Sequence, residues 1–483
     1  MPKRVPLVLA IDQGTSATKA LVLDGTGVVV AQASHPLTQH YPQPGWVEQS
    51  PARLLNSVHA TVQAALDGLD RPIAAIGLST QRESAIAWDR RTGEPMSPVL
   101  GWQDRRTVPD AQRLAGEAEQ IRQRTGLPLD PMFSALKFAW LRREGNLPHG
   151  ADVVFGTVDA WLIARLTGET RIEIGNASRT QLMDVSTGAW DETLLDLFGV
   201  PSRSLPEIRD SDAATTAVRG IPGLDGVPVT GILGDSHAAL YGHGARTAGQ
   251  VKATYGTGSS IMGILPVDTD TDSSLTQTVA WRTHGETTPA FEGNILSSGA
   301  TMTWLASILG VTVAEAWQLA EQVDDSGTVH LVPAFAGLGA PWWDEQAQAT
   351  MNGMTLGSTP AELAHAAASS ICYQIEDVLA AADAVTGSRI DEVLTDGGPS
   401  ANAWLMQLQA DISQRTVRPA AISELSAFGA AQLAAESTGL GPLPGADAEG
   451  AHHPPVLPNR SSDWADAHRA RWLDAVRRAR QIG

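Results

Sequence analysis

Residues 5–23 read VPLVLAIDQGTSATKALVL, and the fold turns on them. Val5–Ile11 is an unbroken apolar run and Lys19–Leu23 carries a second, so two strands are predicted with Asp12-Gln13-Gly14-Thr15-Ser16 as the turn between them. Val28–Ala33 supplies a third short strand. A turn of this composition can do more than reverse the chain. Gly14 permits the tight backbone in which consecutive amides converge on an anion. Thr15 and Ser16 add hydroxyl donors, Lys19 a positive charge, and Asp12 a carboxylate able to hold Mg2+ directly or through water. A plain β-hairpin also uses Gly and Thr in its turn, and taken alone the loop reads equally well either way.

Outward from this hairpin, the pattern alternates. Pro51–Leu66 has Leu54, Leu55, Val58, Val62 and Leu66 at helical spacing behind Ser50 as a cap. Ile73–Leu78, Val153–Thr157 and Val227–Leu233 return to strand. Strands alternating with helices indicate an α/β sheet. Past Gly242–Gly249 the opening theme restarts: Gln250–Thr254 as strand, Tyr255-Gly256-Thr257-Gly258 as tight turn, Ile261–Leu265 as strand. Two related domains are therefore expected, residues 1–244 and 245–483, with the boundary near Gly244. The segment from Gly439 to Pro458, rich in Gly, Pro, Ala and His, reads as irregular, and Ser462–Gln481 as a final helix with an Arg-rich solvated face.

Composition agrees with two domains and narrows the partners. A chain of 483 residues exceeds what one hydrophobic core usually organises. Its net charge of −19, from 34 basic and 53 acidic residues, argues against a nucleic-acid or anionic-membrane partner. A nucleotide stays possible, because backbone amides can cradle phosphates locally. Cys372 is the single cysteine, so an intrachain disulfide and a thiolate metal cluster are both excluded, as suits a reducing compartment. The apolar run near the start is broken by Asp12 and is too short for a signal sequence or a membrane span, so the expectation is a cytoplasmic protein.

Transfer of a phosphoryl group to an alcohol needs donors for the γ-phosphate and a base for the hydroxyl. Thr254–Ser259 can present amides and the Thr257 hydroxyl, although Gly-Thr-Gly turns are common in any protein. Thr395-Asp396-Gly397-Gly398, before a helical run from Asn402, suits the close backbone approach of a nucleotide, and there is no Walker-type loop. Asp235 ends the apolar Val229–Leu233 strand where a small-residue helix begins, the place where α/β active sites lie. An N-cap role explains it as simply. Gln81-Arg82-Glu83 and Trp102-Gln103-Asp104-Arg105-Arg106 combine a guanidinium, a carboxylate and an indole, which together can hold vicinal hydroxyls and a carbon chain. For Arg105 and Arg106 a salt-bridged surface turn competes strongly.

These segments resemble the FGGY family of carbohydrate kinases, most of all its glycerol kinase branch. The resemblance runs from about Leu7 to Ala434 and is carried in order by IDQGTSATKALVLD, YPQPGWVEQSP, IAAIGLSTQRES, GWQDRRT, FGTVDAWLIARLTG, NASRTQLMD, GDSHAAL, TYGTGS, VPAFAGLGAPWWD, DGGPSANAWLMQLQADI and the stretch Ser423–Ala431. It implies an α/β fold of two actin-like (ribonuclease H-like) domains with the active site in the cleft between them. The N-terminal one would bind polyol and carry the phosphate loop and catalytic Asp, and the C-terminal one would bind nucleotide. It implies ATP as phosphoryl donor with Mg2+, a small polyol or sugar as acceptor, and a homo-oligomer, dimer or tetramer. Residue by residue, it makes Asp235 the catalytic base and gives Asp12 and Asp235 to the metal. Thr15, Ser16, Lys19, Thr257, Gly299, Gly398 and Asn402 go to the nucleotide. Arg82, Glu83, Trp102, Met132, Ser236 and Ser260, with Asp235, go to the substrate.

Departures from the glycerol kinase pattern concentrate on the substrate. Met132 replaces a usual Tyr, Ser236-His237 a usual Gln-Gln, Ser260 a usual Phe, and Lys19 a usual Arg. Fewer aromatic walls and more small polar groups imply a wider pocket, so a longer polyol or a ketose such as xylulose or ribulose is the alternative acceptor. Arg219–Gly226 lacks the effector loop of some bacterial relatives, so fructose-bisphosphate inhibition through it is not expected. A hydrolase is disfavoured, because the adjacent Asp235, Ser236 and His237 cannot converge as a relay and no nucleophile elbow is present. A non-catalytic actin-like ATP-binding scaffold would need neither Asp235 nor the Arg82–Glu83 pair.

Overall fold

The computed structural model describes residues 6–481 apart from 146, 149–151, 268, 270–273 and 444–451. Val5, at the head of the first expected strand, and part of the 439–458 tail lie outside the described residues. The chain divides into two compact units. The first comprises Met1–Gly244 with Gln277–Ala290 and Glu424–Ala448; the second comprises Ala245–Thr276, Phe291–Ser423 and Glu449–Gly483.

In the first unit the opening hairpin forms as its apolar runs dictate. Leu7–Gln13 pairs antiparallel with Ala17–Leu23, which pairs antiparallel with Val29–Pro36. Ile73–Thr80 lies parallel on the other side of Leu7–Gln13, and Val229–Gly234 parallel beyond that, giving a five-stranded mixed sheet. Residues 7–11 are all buried, so both faces of the central strand are covered, which is why its sequence runs apolar without alternation. Helix Pro51–Leu66 packs on the hairpin side, turning Leu54, Val58 and Val62 inward, with Ser50 accepting from the Arg53 amide as its cap. Helix Leu425–Ser437, from late in the chain, packs on the parallel strands instead.

The register of this sheet decides which side chains meet. Asp12 pairs with Ser79, Leu233 also pairs with Ser79, and Gly234 pairs with Thr80, so the carboxyl ends of the three parallel strands finish together. From there Gln81–Ser84 crosses to a second sheet, ordered Glu48–Gln49, Val99–Leu100, Ala85–Asp89, Val153–Thr157.

The second unit is built on strands Ser259–Ile264, Val251–Tyr255, Glu392–Asp396 and Thr416–Pro419, adjacent in that order. Its core helix, Pro360–Thr386, starts at a capping box in which Thr359 and Glu362 satisfy each other's amides. The expected last helix spans Ser462–Gln481 and is anchored by Trp472, fully buried, whose Nε1 donates to Asp377 Oδ2 at 2.8 Å. Its Arg-rich face is not wholly solvated: Arg469 pairs with Glu376 and Asp377. No helix among the described residues is long and apolar enough to cross a membrane.

Candidate active site

The common end of the three parallel strands gathers most of the polar residues that the sequence singles out in the first unit. Asp12, last but one on its strand, accepts from Ser79 Oγ at 2.8 Å. Its pKa is pushed up to about 7, first by burial, with the negative charge of Asp235 adding to the effect and Ser79 and Lys19 opposing it. Asp235 is the first residue of helix Asp235–Gly242, with Gly234 in the capping position. Its Oδ1 accepts from Arg82 Nε at 3.2 Å and from the Ser236 amide at 2.7 Å, and its side chain is 39% exposed. The N-cap reading of Asp235 is thus off by one residue: Gly234 holds the cap position and Asp235 lies just inside the helix. A Cβ at Gly234 would lie 2.6 Å from Cγ and Cδ of Arg82, whose chain crosses it to reach Asp235, so any larger residue here would have to displace Arg82.

Around this pair, Trp102 donates from Nε1 to Thr15 Oγ1 at 3.1 Å, while its ring is 38% exposed. Lys19 is held by Glu424 at 2.5 Å, a partner brought from the far end of the sequence. Ser426 Oγ donates to the Asp235 carbonyl at 3.0 Å. Glu83 is buried and receives Arg179 Nε on Oε1 at 2.7 Å. Met132 sits half-buried at the entry to helix Ser134–Glu144, its amide donating to Asp130 and its carbonyl accepting from Lys137. Ser236 is buried on the helix that Asp235 begins, and Ser16 is exposed at the hairpin tip. Arg105 and Arg106 take other duties. Arg105 pairs with Asp130, and Arg106 is buried against Asp104 and Glu48 with its guanidinium 3.7 Å from the Trp46 ring centroid.

In the second unit, one turn collects two distant segments. The Thr257 carbonyl accepts from the amides of Ser298 and Ala300, and the Gly256 carbonyl from that of Gly299, so the start of helix Gly299–Leu309 is stitched to the 255–258 turn. Gly397 has φ +91° and lies against the same turn, where a Cβ would meet the Tyr255 carbonyl oxygen at 2.0 Å; only glycine fits. Gly398 follows it, and Asn402 caps helix Ala403–Ser413 through Oδ1 while its Nδ2 donates to Glu321. Ser260, half-buried, donates to the buried Glu292 at 2.9 Å, so this hydroxyl has a partner inside its own unit.

Sequence reading did not single out Ser79, Glu424, Arg179, Lys137 or Glu292. Ser79, Glu424, Lys137 and Glu292 are polar in otherwise apolar or small-residue stretches, Arg179 stands in a polar one, and Ser79, Arg179 and Glu424 lie within segments that carry the family resemblance. No pattern in the sequence shows which distant residue each would face. Among the described residues no group of three or more His, Cys, Asp or Glu is arranged to hold a metal ion. Asp12 and Asp235 are a pair, not a cage.

Residues 7–242 match the N-terminal domain of the FGGY family of carbohydrate kinases, and residues 251–437 match its C-terminal domain. A glycerol kinase of Alkalilimnicola ehrlichii is 42% identical over 494 residues, covering 98% of each chain. An apulose kinase of Pectobacterium atrosepticum is 41% identical over 449 residues, covering 90% of each. Among solved structures, Plasmodium falciparum glycerol kinase with ADP superposes with a TM-score of 0.91 at 26% identity, covering 98% of both chains.

Proposed function

Because the chain belongs to the FGGY family of carbohydrate kinases and is a phosphotransferase, we propose that it transfers the γ-phosphoryl group of ATP to a terminal hydroxyl of a small polyol, glycerol foremost. The observation that carries this is Asp235: a partly exposed carboxylate at the shared strand end, oriented through Oδ1 by Arg82 and its own helix, and close enough to Asp12 to disturb its ionisation.

In this reading Asp235 accepts the proton of the incoming hydroxyl as that oxygen bonds to phosphorus and the bond from phosphorus to the ADP oxygen breaks. Arg82 and Glu83 take the remaining hydroxyls, and the exposed face of Trp102 covers the carbon chain. Thr15, Ser16 and Lys19 meet the phosphates. In the second unit Thr257, Gly299, Gly398 and Asn402 hold the rest of the nucleotide. Two neighbouring carboxylates, with no third His, Cys, Asp or Glu grouped with them to hold a metal among the described residues, fit Mg2+, which keeps most of its coordination for water and phosphate oxygens. Asp12 and Asp235 are the residues that would hold it, and when bound it would neutralise charge on the β- and γ-phosphate oxygens.

A ketose acceptor is the second reading. It is favoured by Met132 and Ser260 standing where the glycerol kinase branch usually has Tyr and Phe, by Ser236-His237 in place of a usual Gln-Gln, and by the similarity to an apulose kinase. Ser260, paired with Glu292, adds polarity in the second unit rather than a hydrophobic wall. Coupled measurement of ADP release with glycerol, erythritol, D-ribulose and D-xylulose, at saturating ATP and magnesium, decides between them. A glycerol kcat/KM above that of every ketose supports the first reading, and the reverse order supports the second. No alcohol-dependent ADP release across three- to six-carbon polyols and ketoses overturns both.

A further inference from the structure

Glu83 is distinguished by its backbone. Its φ is +58°, and the Ser84 amide donates to the Arg82 carbonyl at 2.6 Å, so residues 82–84 close a γ-turn of the positive-φ kind, which is rare and strained. Such a conformation persists only where the surroundings over-determine it. Two sets of donors do so here. Ser134 and Lys137, three residues apart on the first turn of helix Ser134–Glu144, both donate to the Glu83 carbonyl oxygen, at 3.0 and 3.3 Å. Lys137 Nζ also donates to the Met132 carbonyl at 2.5 Å. From the other side, Arg179 Nε grips the Glu83 carboxylate at 2.7 Å, with its guanidinium 5.1 Å from the Phe133 ring centroid.

Both cations are expensive to place. The side chain of Arg179 and the whole of Lys137 are 0% exposed, and burial pushes the Lys137 ammonium down to about 8. The charges of Glu83, Asp104 and Asp130 offset part of that cost, while the ammonium itself is directed at two backbone carbonyls, of Glu83 and Met132. The approach to Arg179 is equally built. Glu173 accepts from the Gly175 and Asn176 amides, capping the short helix Ile174–Ser178 that delivers Arg179 directly.

We propose that Lys137 and Arg179 are positioning residues for the acceptor alcohol: together they lock the Glu83 turn at its carbonyl and its carboxylate, and Lys137 ties Met132 to the same point, so that the spacing of two substrate-facing segments is fixed before substrate arrives. This rests on the proposed roles of Glu83 and Met132 in holding that alcohol.

The test is steady-state kinetics on the full chain with glycerol, or with whichever panel alcohol the wild type turns over best, varied against saturating ATP. Lys137→Met and Arg179→Met are expected to raise the alcohol KM by about tenfold or more with the ATP KM unchanged, since a misplacement of an ångström suffices. Arg179→Lys, which keeps one donor, recovers part of the loss, and Arg179→Met combined with Glu83→Gln is no worse than the poorer single variant. Should Lys137→Met not fold, Ser134→Ala and Arg179→Lys decide: each raises the alcohol KM alone, and an unchanged KM in both overturns the proposal. It is also overturned if Glu83→Gln raises the alcohol KM while Lys137→Met and Arg179→Met leave it within about twofold, a result that leaves the role of Glu83 standing. Equal losses in kcat and in both KM values would mean a general packing defect and count against it. If Glu83→Gln itself leaves the alcohol KM unchanged, the role of Glu83 fails and the positioning role with it.

Discussion

Replacing Asp235 by Asn removes a proton acceptor and almost nothing else. The amide oxygen of the substituted side chain can still accept from Arg82 Nε and from the Ser236 amide, the two donors now 3.2 and 2.7 Å from Oδ1, so the helix start and the Arg82 path over Gly234 are preserved. The lost charge costs little stability, because the carboxylate is 39% exposed and an ion pair so open to solvent contributes under about 1 kcal/mol. Loss of a positioned general base costs about 10²- to 10⁴-fold in rate, roughly 3–5 kcal/mol of transition-state stabilisation. The expected variant therefore binds ATP with near-normal affinity by calorimetry, melts within a few degrees of the wild type, and turns over at least about a hundredfold more slowly in a coupled ADP assay. It also lifts a negative charge from beside Asp12, whose raised pKa should fall. A kcat within about threefold of the wild type would refute the assignment of the base.

Gly234→Ala places a methyl group where Arg82 Cγ and Cδ lie, so Arg82 must leave Asp235; alcohol KM should rise about tenfold, checked by the same assay, with circular dichroism unchanged. Trp102→Phe keeps the ring face but loses the bond to Thr15, and should raise the alcohol KM about two- to fivefold, against a larger rise for Trp102→Ala. His365, buried on Ser369, has its pKa lowered to about 4 by burial. Between pH 6.5 and 4 the unfolded chain therefore binds a proton that the folded chain refuses, and stability present above 6.5 is lost as pH falls, at about 1.4 kcal/mol per pH unit. Urea titrations of wild type and His365→Gln should diverge by roughly 2 kcal/mol between pH 6.5 and 5, the wild type losing more, and parallel curves would remove His365 from the account.

Where the sequence was legible, the reason was periodicity or local chemistry. The apolar runs on either side of Asp12–Ser16 form the hairpin, Ser50 caps the helix it precedes, Val153–Thr157 is a strand, and Ser462–Gln481 is a helix, because each depends on residues within a few positions of one another. The polar residues at strand ends were legible for the same reason, since an apolar strand that stops at an acid or a Gln-Arg-Glu run announces the end of a sheet.

Partnership is the part that only the tertiary structure decided. Glu424 on Lys19, Arg179 on Glu83, Lys137 on two backbone carbonyls and Glu292 under Ser260 are contacts between segments whose spacing along the chain carries no period. Likewise the left-handed turn at Glu83 has no glycine to advertise it, because its conformation is imposed from outside by donors on other elements. Local sequence determines which elements form and what chemistry they carry at their ends. Which buried charge is compensated, and by what, is settled only when the sheets and helices pack and the surrounding water is gone.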